Sequence, residues 1–232
     1  SGYINYKMIE GLNFRSNLGI TLTNSRTGIY RAPETVDRAG AVSEAIYETG
    51  NDVGLNWENI LNYSRQFNKH SFTLTGIHTL LRNDNESQSA QGRNQLLDYQ
   101  LFYSLGNAND QLAIQSAYRG SSLMSYTGRL QYGFDDKYLL MFTARADGAS
   151  QLSEGKKWAF FPSVSAAWRI IEENFMQESN LFTDLKLRAS YGVAGNAAVD
   201  PYSTETLLSR IPFAYDEEAA IGYTFGSRIG NI

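Results

Sequence analysis

The chain has 232 residues, of which 42% are hydrophobic and 13% aromatic, and a formal net charge of −4. It has no cysteine, which excludes disulfide frameworks and cysteine-ligated zinc, and it has no basic cluster of the kind that binds nucleic acid. No run of about 18 apolar residues is present, so the sequence predicts no transmembrane helix.

The first predicted elements are two strands, over residues 3–9 and 12–23, joined by a tight turn at Glu10 and Gly11. The second strand alternates cleanly, and its apolar face consists of Leu12, Phe14, Leu18, Ile20 and Leu22. It is about a dozen residues long, whereas globular strands have about five or six residues and membrane-spanning strands about nine to eleven. Its length therefore favours a strand that crosses a membrane.

Polar stretches at 24–52 and 82–110 show little periodicity, so both are predicted to be long loops. Between them, a hairpin is predicted from strands over 53–64 and 71–81. Residues 99–105 of the second stretch are predicted to form a short helix or a packed turn. Short connections thus alternate with long ones, as in outer-membrane barrels.

A second hairpin is predicted over 125–134 and 138–147, with an acidic turn at Asp135-Asp136-Lys137. In its first strand the apolar face carries aromatic residues near the turn and the opposite face is polar. The two faces consist of Tyr126, Gly128, Leu130, Tyr132 and Phe134 on one side, and Ser125, Thr127, Arg129 and Gln131 on the other. An apolar face beside a polar one is expected where lipid lies outside a barrel and water inside.

After a long connection at 148–157, alternating strands are predicted over 158–169 and 185–193, with an amphipathic connection at 170–184 between them. From residue 195 onward the chain is predicted to be loop-like, with a final strand around 221–227.

These patterns predict an all-β fold, an antiparallel transmembrane β-barrel with short turns on one side and long loops on the other. Two alternatives stay open at this point. One is a complete small barrel that acts as an outer-membrane pore or adhesin. The other is a soluble β-sandwich, such as a carbohydrate-binding module, whose alternating faces build a core.

Several motifs resemble one family in order and spacing. They are Ser125-Tyr126 with Gly128-Arg129-Leu130 and Tyr132, Asp135-Asp136-Lys137-Tyr138-Leu139-Leu140, Arg145-Ala-Asp147-Gly148-Ala-Ser150, Phe161-Pro-Ser-Val-Ser-Ala-Ala-Trp-Arg169, Glu172-Glu173-Asn-Phe175-Met176, and Leu185-Lys-Leu-Arg-Ala-Ser-Tyr-Gly-Val-Ala-Gly-Asn196. Together they look like the barrel of SusC-like (SusC/RagA) TonB-dependent outer-membrane transporters. The match is strong over 121–196 and looser over 1–80. Ala149 stands where the family usually has Ser, and Gln151-Leu152 where an Arg-Phe pair is common.

The resemblance implies that residues 1–232 form part of a single TonB-dependent receptor barrel domain, an internal β-barrel segment of about eight to ten strands. It also implies that the plug and N-terminal domains are absent from the chain. It implies import of large nutrients, oligosaccharides (glycans) or peptides, across the outer membrane of a Gram-negative bacterium. The implied partners are a SusD-like surface lipoprotein, TonB, outer-membrane lipid and the cargo itself. Transport in that family needs no bond chemistry and no cofactor, so the chain is not expected to be an enzyme.

Candidate substrate-binding residues lie on predicted polar faces or in predicted loops. They are Arg129, Arg145, Asp147, Arg188, Tyr99, Tyr103 and Trp158. For the charged residues, a structural network in which Arg and Asp pair across strands is favoured over contact with substrate or plug. Trp158 fits an aromatic girdle at a membrane interface better than a sugar-stacking platform.

Catalytic and metal sites are not expected. The two histidines, His70 and His78, have no neighbouring carboxylates in a zinc-ligand spacing. Neighbouring acids such as Asp135-Asp136, Glu172-Glu173 and Glu217-Glu218 do not suit two-carboxylate chemistry, because adjacent residues of a strand point to opposite faces and adjacent residues of a turn are solvated.

Overall fold

The computed structural model describes residues 1–176, 182–196, 199–205, 208–215 and 218–225. Ten strands lie in these ranges: β1 Gly2–Ile9, β2 Leu12–Arg31, β3 Glu44–Phe67, β4 His70–Gln95, β5 Ala108–Phe134, β6 Tyr138–Ala149, β7 Trp158–Arg169, β8 Lys186–Gly192, β9 Leu208–Tyr215 and β10 Glu218–Phe225. Four 3₁₀ turns accompany them, Asp98–Gln100, Leu105–Asn107, Ile170–Glu172 and Asn174–Met176. The predicted all-β fold is confirmed.

Strands β1 to β8 form one sheet in chain order, and β9 pairs with β10 in a separate two-stranded sheet. Antiparallel register joins β1 to β2, β5 to β6, β6 to β7 and β7 to β8. Within the described part of the chain, the buried apolar side chains are the alanines Ala45, Ala108 and Ala149. Large apolar side chains are therefore displayed on the sheet, unlike those of a sandwich, which are buried between two sheets.

The strands β2 to β5 are much longer than predicted. The segments 24–52 and 82–110, predicted as loops, are largely strand, and the true connections are 32–43 and 96–107. The predicted helix or packed turn at 99–105 corresponds to the two 3₁₀ turns in the second connection. The prediction failed because these strand portions are polar on both faces, so hydrophobic alternation could not reveal a ladder that backbone hydrogen bonds form regardless of side chain.

Near the C-terminus the prediction was partly wrong. The chain from residue 195 onward was predicted to be loop-like, yet β9 lies within it. The predicted final strand at 221–227 agrees with β10 as far as Phe225, and residues 226 and 227 lie outside the described ranges. Residues 177–181 of the predicted connection and Glu217 of one acidic pair also lie outside them.

The chain divides into two compact units. Unit 1 comprises 1–19, 56–81 and the described part from 121 onward, and it holds the short turns at 10–11, 68–69 and 135–137. Unit 2 comprises 20–55 and 82–120 and includes the connections 32–43 and 96–107. Of the helices that the structure describes, none is both long enough and apolar enough to cross a membrane.

The acidic turn of unit 1 has the geometry that its hairpin needs. Asp135 and Asp136 have φ of 53° and 54°, and the backbone N–H of Lys137 donates to the carbonyl of Phe134 at 3.0 Å. A type I′ hairpin turn requires positive φ at both central residues, and Asp tolerates that conformation better than most residues. An ion pair of 2.7 Å between Lys69 and Asp135 joins this turn to the preceding hairpin.

Strand register in unit 1 confirms the predicted faces. Opposite residues of neighbouring strands share a face, and Leu130, Phe142, Val164 and Tyr191 form one such row across β5 to β8. The adjacent row on the other face runs through Arg129, Thr143, Ser163 and Gly192. The sheet of unit 1 therefore has an apolar face and a polar face.

Candidate functional site

Two aromatic bands cross the apolar face of unit 1. The first contains Trp57, His78, Tyr126 and Trp158, with neighbouring ring centroids 5.7, 5.1 and 6.1 Å apart. The second contains His70, Phe72, Tyr132, Phe134, Tyr138 and Trp168, with ring contacts of 5.0 to 6.4 Å. Both histidines thus pack among aromatic rings, where each also makes a polar contact, His70 with the Tyr132 hydroxyl and His78 with the Asn59 amide.

Trp158, predicted as a possible substrate contact, lies in the first band. Its indole covers Gly148, whose position on β6 is directly opposite in the register. A Cβ at residue 148 would lie 2.7 Å from the indole ring, closer than real Cβ contacts come. Between the bands the face carries aliphatic and aromatic side chains that are 39 to 53% exposed, namely Leu61, Leu74, Leu130, Phe142 and Val164.

The polar face of unit 1 holds the predicted charged residues. Arg145 donates from Nε to both oxygens of Asp147 at 2.7 and 2.8 Å, and from Nη2 to the Ser125 hydroxyl at 3.0 Å. Ser125 is 1% exposed. Arg145 and Asp147 belong to the same strand, so the pair runs along β6, and its link to β5 passes through Ser125.

Arg129 and Arg188, the other two predicted basic residues, have no hydrogen bond or ion pair among the described residues. Arg188 and Lys186 line a cleft of about 470 Å³ together with Ser71, Thr73, Gln131 and Ser165. Their ammonium and guanidinium groups therefore remain available to a ligand on the polar face.

The sequence did not predict a polar cluster that lies where the Asp135-Asp136-Lys137 turn meets residues 170–176. The carboxylate of Glu173 accepts hydrogen bonds from the Tyr138 hydroxyl at 2.7 Å, the Trp168 indole at 3.0 Å and the Lys137 ammonium at 3.2 Å. These three donors, led by Tyr138, lower the pKa of Glu173. Glu172 instead pairs with Arg169 at 2.8 Å, so the two acids have separate structural partners.

Unit 2 contains a polar cleft of about 700 Å³ that the sequence did not reveal. Its lining is rich in hydroxyl and amide groups, and its charged side chains are Glu48 and Asp52. Asp52 accepts a hydrogen bond from the Asn85 amide, and Glu48 accepts one from the Ser89 hydroxyl at 3.5 Å. Neither carboxylate has an ion-pair partner among the described residues. The cleft therefore offers hydrogen-bond partners and negative charge.

A second polar cluster in unit 2 is centred on Glu44, whose side chain is 8% exposed. Arg93 donates to it twice, at 2.9 and 3.0 Å, and Arg31 and Gln91 each donate at 2.8 Å. Arg38 lies 3.8 Å from the same carboxylate and donates to the Val42 carbonyl. The hydrogen bonds from Arg93, opposed by burial, hold the pKa of Glu44 below its usual value of 4.5.

The residues of the Glu44 cluster lie far apart in the sequence. Arg31 and Arg93 are 13 and 49 positions from Glu44. No local motif signals such a set, and Arg31 and Glu44 both lie in a stretch that the sequence predicted to be loop. Only strand pairing brings them together.

The predicted aromatic contacts Tyr99 and Tyr103 lie in the 96–107 connection of unit 2 and are 78% and 68% exposed. The guanidinium of Arg26 lies 5.4 Å from the Tyr103 ring centroid and 5.2 Å from that of Tyr47. Phe102 packs against Gly28 and leaves no room for a side chain there. The connection is thus anchored on the sheet by Phe102, and both tyrosines are displayed to solvent.

Comparisons with known proteins give consistent results. TonB-dependent receptor P3 of Formosa agariphila is 34% identical over 209 residues, which are 90% of this chain and 21% of that receptor. TonB-dependent receptor SusC of Bacteroides thetaiotaomicron is 45% identical over 82 residues, 35% of this chain and 8% of that protein. No family model matches the chain.

Among solved structures, that of the RagAB peptide transporter superposes with a TM-score of 0.88 at 25% identity, covering 99% of this chain and 25% of that one. The resemblance predicted from the sequence is confirmed. The chain spans about a fifth of the length of receptor P3 and about a quarter of the matched chain in the RagAB structure.

Proposed function

We infer that this chain, which is related in sequence and fold to a segment of SusC-like TonB-dependent receptors, forms part of the wall of an outer-membrane β-barrel. In this proposal the complete protein imports large nutrients, either oligosaccharides or peptides. The wall segment supplies the lipid-facing surface, part of the lumen surface and part of the surface that binds cargo. Its relatives are named as receptors and transporters, and transport of this kind requires no bond chemistry from the chain.

The observation that carries the proposal is the spacing of the two aromatic bands on one apolar face. Trp158 and Trp168 stand at opposite ends of β7, ten residues apart, which is about 33 Å along the strand at roughly 3.3 Å per residue. A tilt of about 35–45° reduces this to roughly 23–27 Å, close to the apolar band of about 25 Å that outer-membrane barrels present to lipid. Tyrosine and tryptophan are the side chains expected at both rims of that band.

The opposite face supports a water-filled lumen. It carries Arg129, Arg145, Asp147 and Arg188, and two of these arginines have no partner within the described residues. We propose that these residues contact cargo or the plug, and that exposed Tyr99 and Tyr103 contact cargo or a SusD-like lipoprotein. Trp158, by its place in an aromatic band, is assigned to the membrane interface instead.

The proposal is tested by uptake in the source bacterium. Cells that lack the gene, and wild-type cells treated with a protonophore, are given fluorescently labelled oligosaccharides and peptides. Loss of uptake of one cargo class in both cases is expected, because TonB-driven import needs both the barrel and the energised inner membrane. If uptake of every labelled cargo persists after deletion of the gene, the proposal is contradicted.

A further inference from the structure

The Glu44 cluster of unit 2 carries more positive than negative charge. Three guanidinium groups, those of Arg31, Arg38 and Arg93, surround a single carboxylate. The side chains of Arg31 and Arg93 are 34% and 41% exposed, so each retains N–H donors that a ligand can reach. Guanidinium groups with free donors bind carboxylates in a planar, two-pronged geometry.

An unsatisfied amide lies beside this cluster. The backbone N–H of Gln95 donates to the Ser43 hydroxyl at 3.0 Å, and Ser43 directly precedes Glu44. Gln95 is 7% exposed, and both its side-chain Oε1 and Nε2 are buried without a hydrogen-bond partner. A buried amide without partners is costly, and a polar group of a ligand beside Gln95 would satisfy it.

The carboxylates of the cleft lie on the same face of unit 2 as the cluster. Alternate residues of a strand share a face, so Glu44, Glu48 and Asp52 project to one side of β3. Cross-strand contacts agree, since Glu44 meets Arg93 and Glu48 meets Ser89 on alternate positions of β4. This face is therefore positive at Glu44 and negative at the cleft.

The positive Glu44 cluster and the negative carboxylates of the cleft are separated by a defined distance along β3. At about 3.3 Å per residue, Glu48 is roughly 13 Å and Asp52 roughly 26 Å from Glu44 along β3. An extended peptide covers the same distance with about four to eight residues, at about 3.3–3.6 Å each. A neutral oligosaccharide would leave both sets of charges without a partner.

We propose that this face of unit 2 binds a short peptide with two free termini, in one orientation. The C-terminal carboxylate binds to Arg31 and Arg93, and the N-terminal ammonium binds in the cleft beside Glu48 or Asp52. The backbone amides of the peptide bind to the hydroxyl and amide groups that line the cleft. This inference rests on the proposed import function and specifies its cargo.

The test uses the complete transporter purified in detergent and peptides of eight uncharged residues. Titration calorimetry compares the peptide with free termini, its C-terminal amide, its N-acetyl form and a neutral oligosaccharide of similar length. We expect the free peptide to bind at least tenfold more tightly than either blocked form. Because this comparison changes only the ligand, it does not depend on a variant that folds.

A pair of double variants then locates the site. Arg31→Gln with Arg93→Gln should remove the preference for the free carboxylate over the amide. Arg82→Gln with Arg119→Gln removes the same charge from unit 2 without touching Glu44, and it should leave that preference intact.

Equal binding of free and blocked peptides to the unaltered protein would overturn the inference, as would tighter binding of the neutral oligosaccharide. In both cases the import function would still stand, since it is decided separately by uptake in the deletion strain.

Discussion

Replacing Glu44 by Gln keeps the size of the side chain but removes the carboxylate around which Arg31, Arg38 and Arg93 are arranged. An amide oxygen can still accept a hydrogen bond, but it no longer offsets the charge of the guanidiniums. The connection 32–43 should loosen first, because Arg38 lies within it and Arg31 immediately precedes it.

The magnitude follows from the contacts. A hydrogen bond to a charged group contributes about 1.5–3 kcal/mol. In the variant only the guanidinium is charged, so we take each bond to fall from the upper towards the lower part of that range, a loss of about 1 kcal/mol. Arg31 and Arg93 are both affected, which gives about 2 kcal/mol, less than the roughly 3–5 kcal/mol expected for a broken, fully buried pair, because both arginines are partly exposed. This is roughly a 30-fold increase in local opening, since 1.4 kcal/mol is about tenfold.

Hydrogen exchange measures this opening directly. The amides of Thr35, Arg38, Ala39 and Ala41 donate to carbonyls within the connection and should be protected in the unaltered protein. In the full-length Glu44→Gln protein their exchange should accelerate by roughly 30-fold, given the opening free energy above.

A matched control is Glu86→Gln, which removes the same charge from an exposed position of unit 2. Glu86 has no side-chain hydrogen bond or ion pair within the described residues, and its variant should exchange like the unaltered protein. Unchanged exchange over 32–43 in the Glu44 variant would refute the reasoning.

Three further outcomes are expected. First, the amides of the connection 32–43 should lose protection from exchange in acid. The folded pKa of Glu44 lies below its usual 4.5, so the stabilisation by its ion pairs is complete above 4.5 and disappears as the pH falls through the folded pKa. Exchange that does not depend on pH in this range, after correction for the intrinsic rate, would contradict this. Second, Gly148→Leu should displace the Trp158 ring and lower the yield of folded barrel, seen as loss of the heat-modifiable band on electrophoresis. The control Gly76→Leu should fold normally, because the space around its Cβ position is open. Third, the isolated 232-residue chain should remain dispersed only in detergent, because its apolar face is exposed and its sheet edges lack a neighbouring strand. A compact monomer, measured by sedimentation in plain buffer, would count against a lipid-facing surface.

Much of unit 1 could be predicted because its strands carry apolar side chains on one face and polar side chains on the other. The bounds of β7 at Trp158 and Arg169 agree with the predicted strand, and the turn at Asp135 and Asp136 was recognised by its residues. The apolar and polar rows of β5 to β8 followed from a period of two alone. The family resemblance over 121–196 covers this same region.

In unit 2 the sequence did not predict which residues form strands and which form loops. Polar residues lie on both faces of these strand portions, so no alternation distinguished strand from loop, and backbone pairing with neighbours decided the matter. In unit 1, Arg145 and Asp147 could be assigned to the polar face from the sequence, but their pairing along β6 and the link to Ser125 of β5 could not.

What only the tertiary structure decided is the grouping of distant charges. Glu44 is joined to Arg31 and Arg93, Glu48 to Ser89 and Asp52 to Asn85, because strand register sets which residues of different strands meet. Local propensity records the shape of one segment at a time, whereas an ion cluster depends on several strands at once. The sequence by itself determined which face of the sheet in unit 1 is apolar, and the pairing of strands determined which charged side chains lie together.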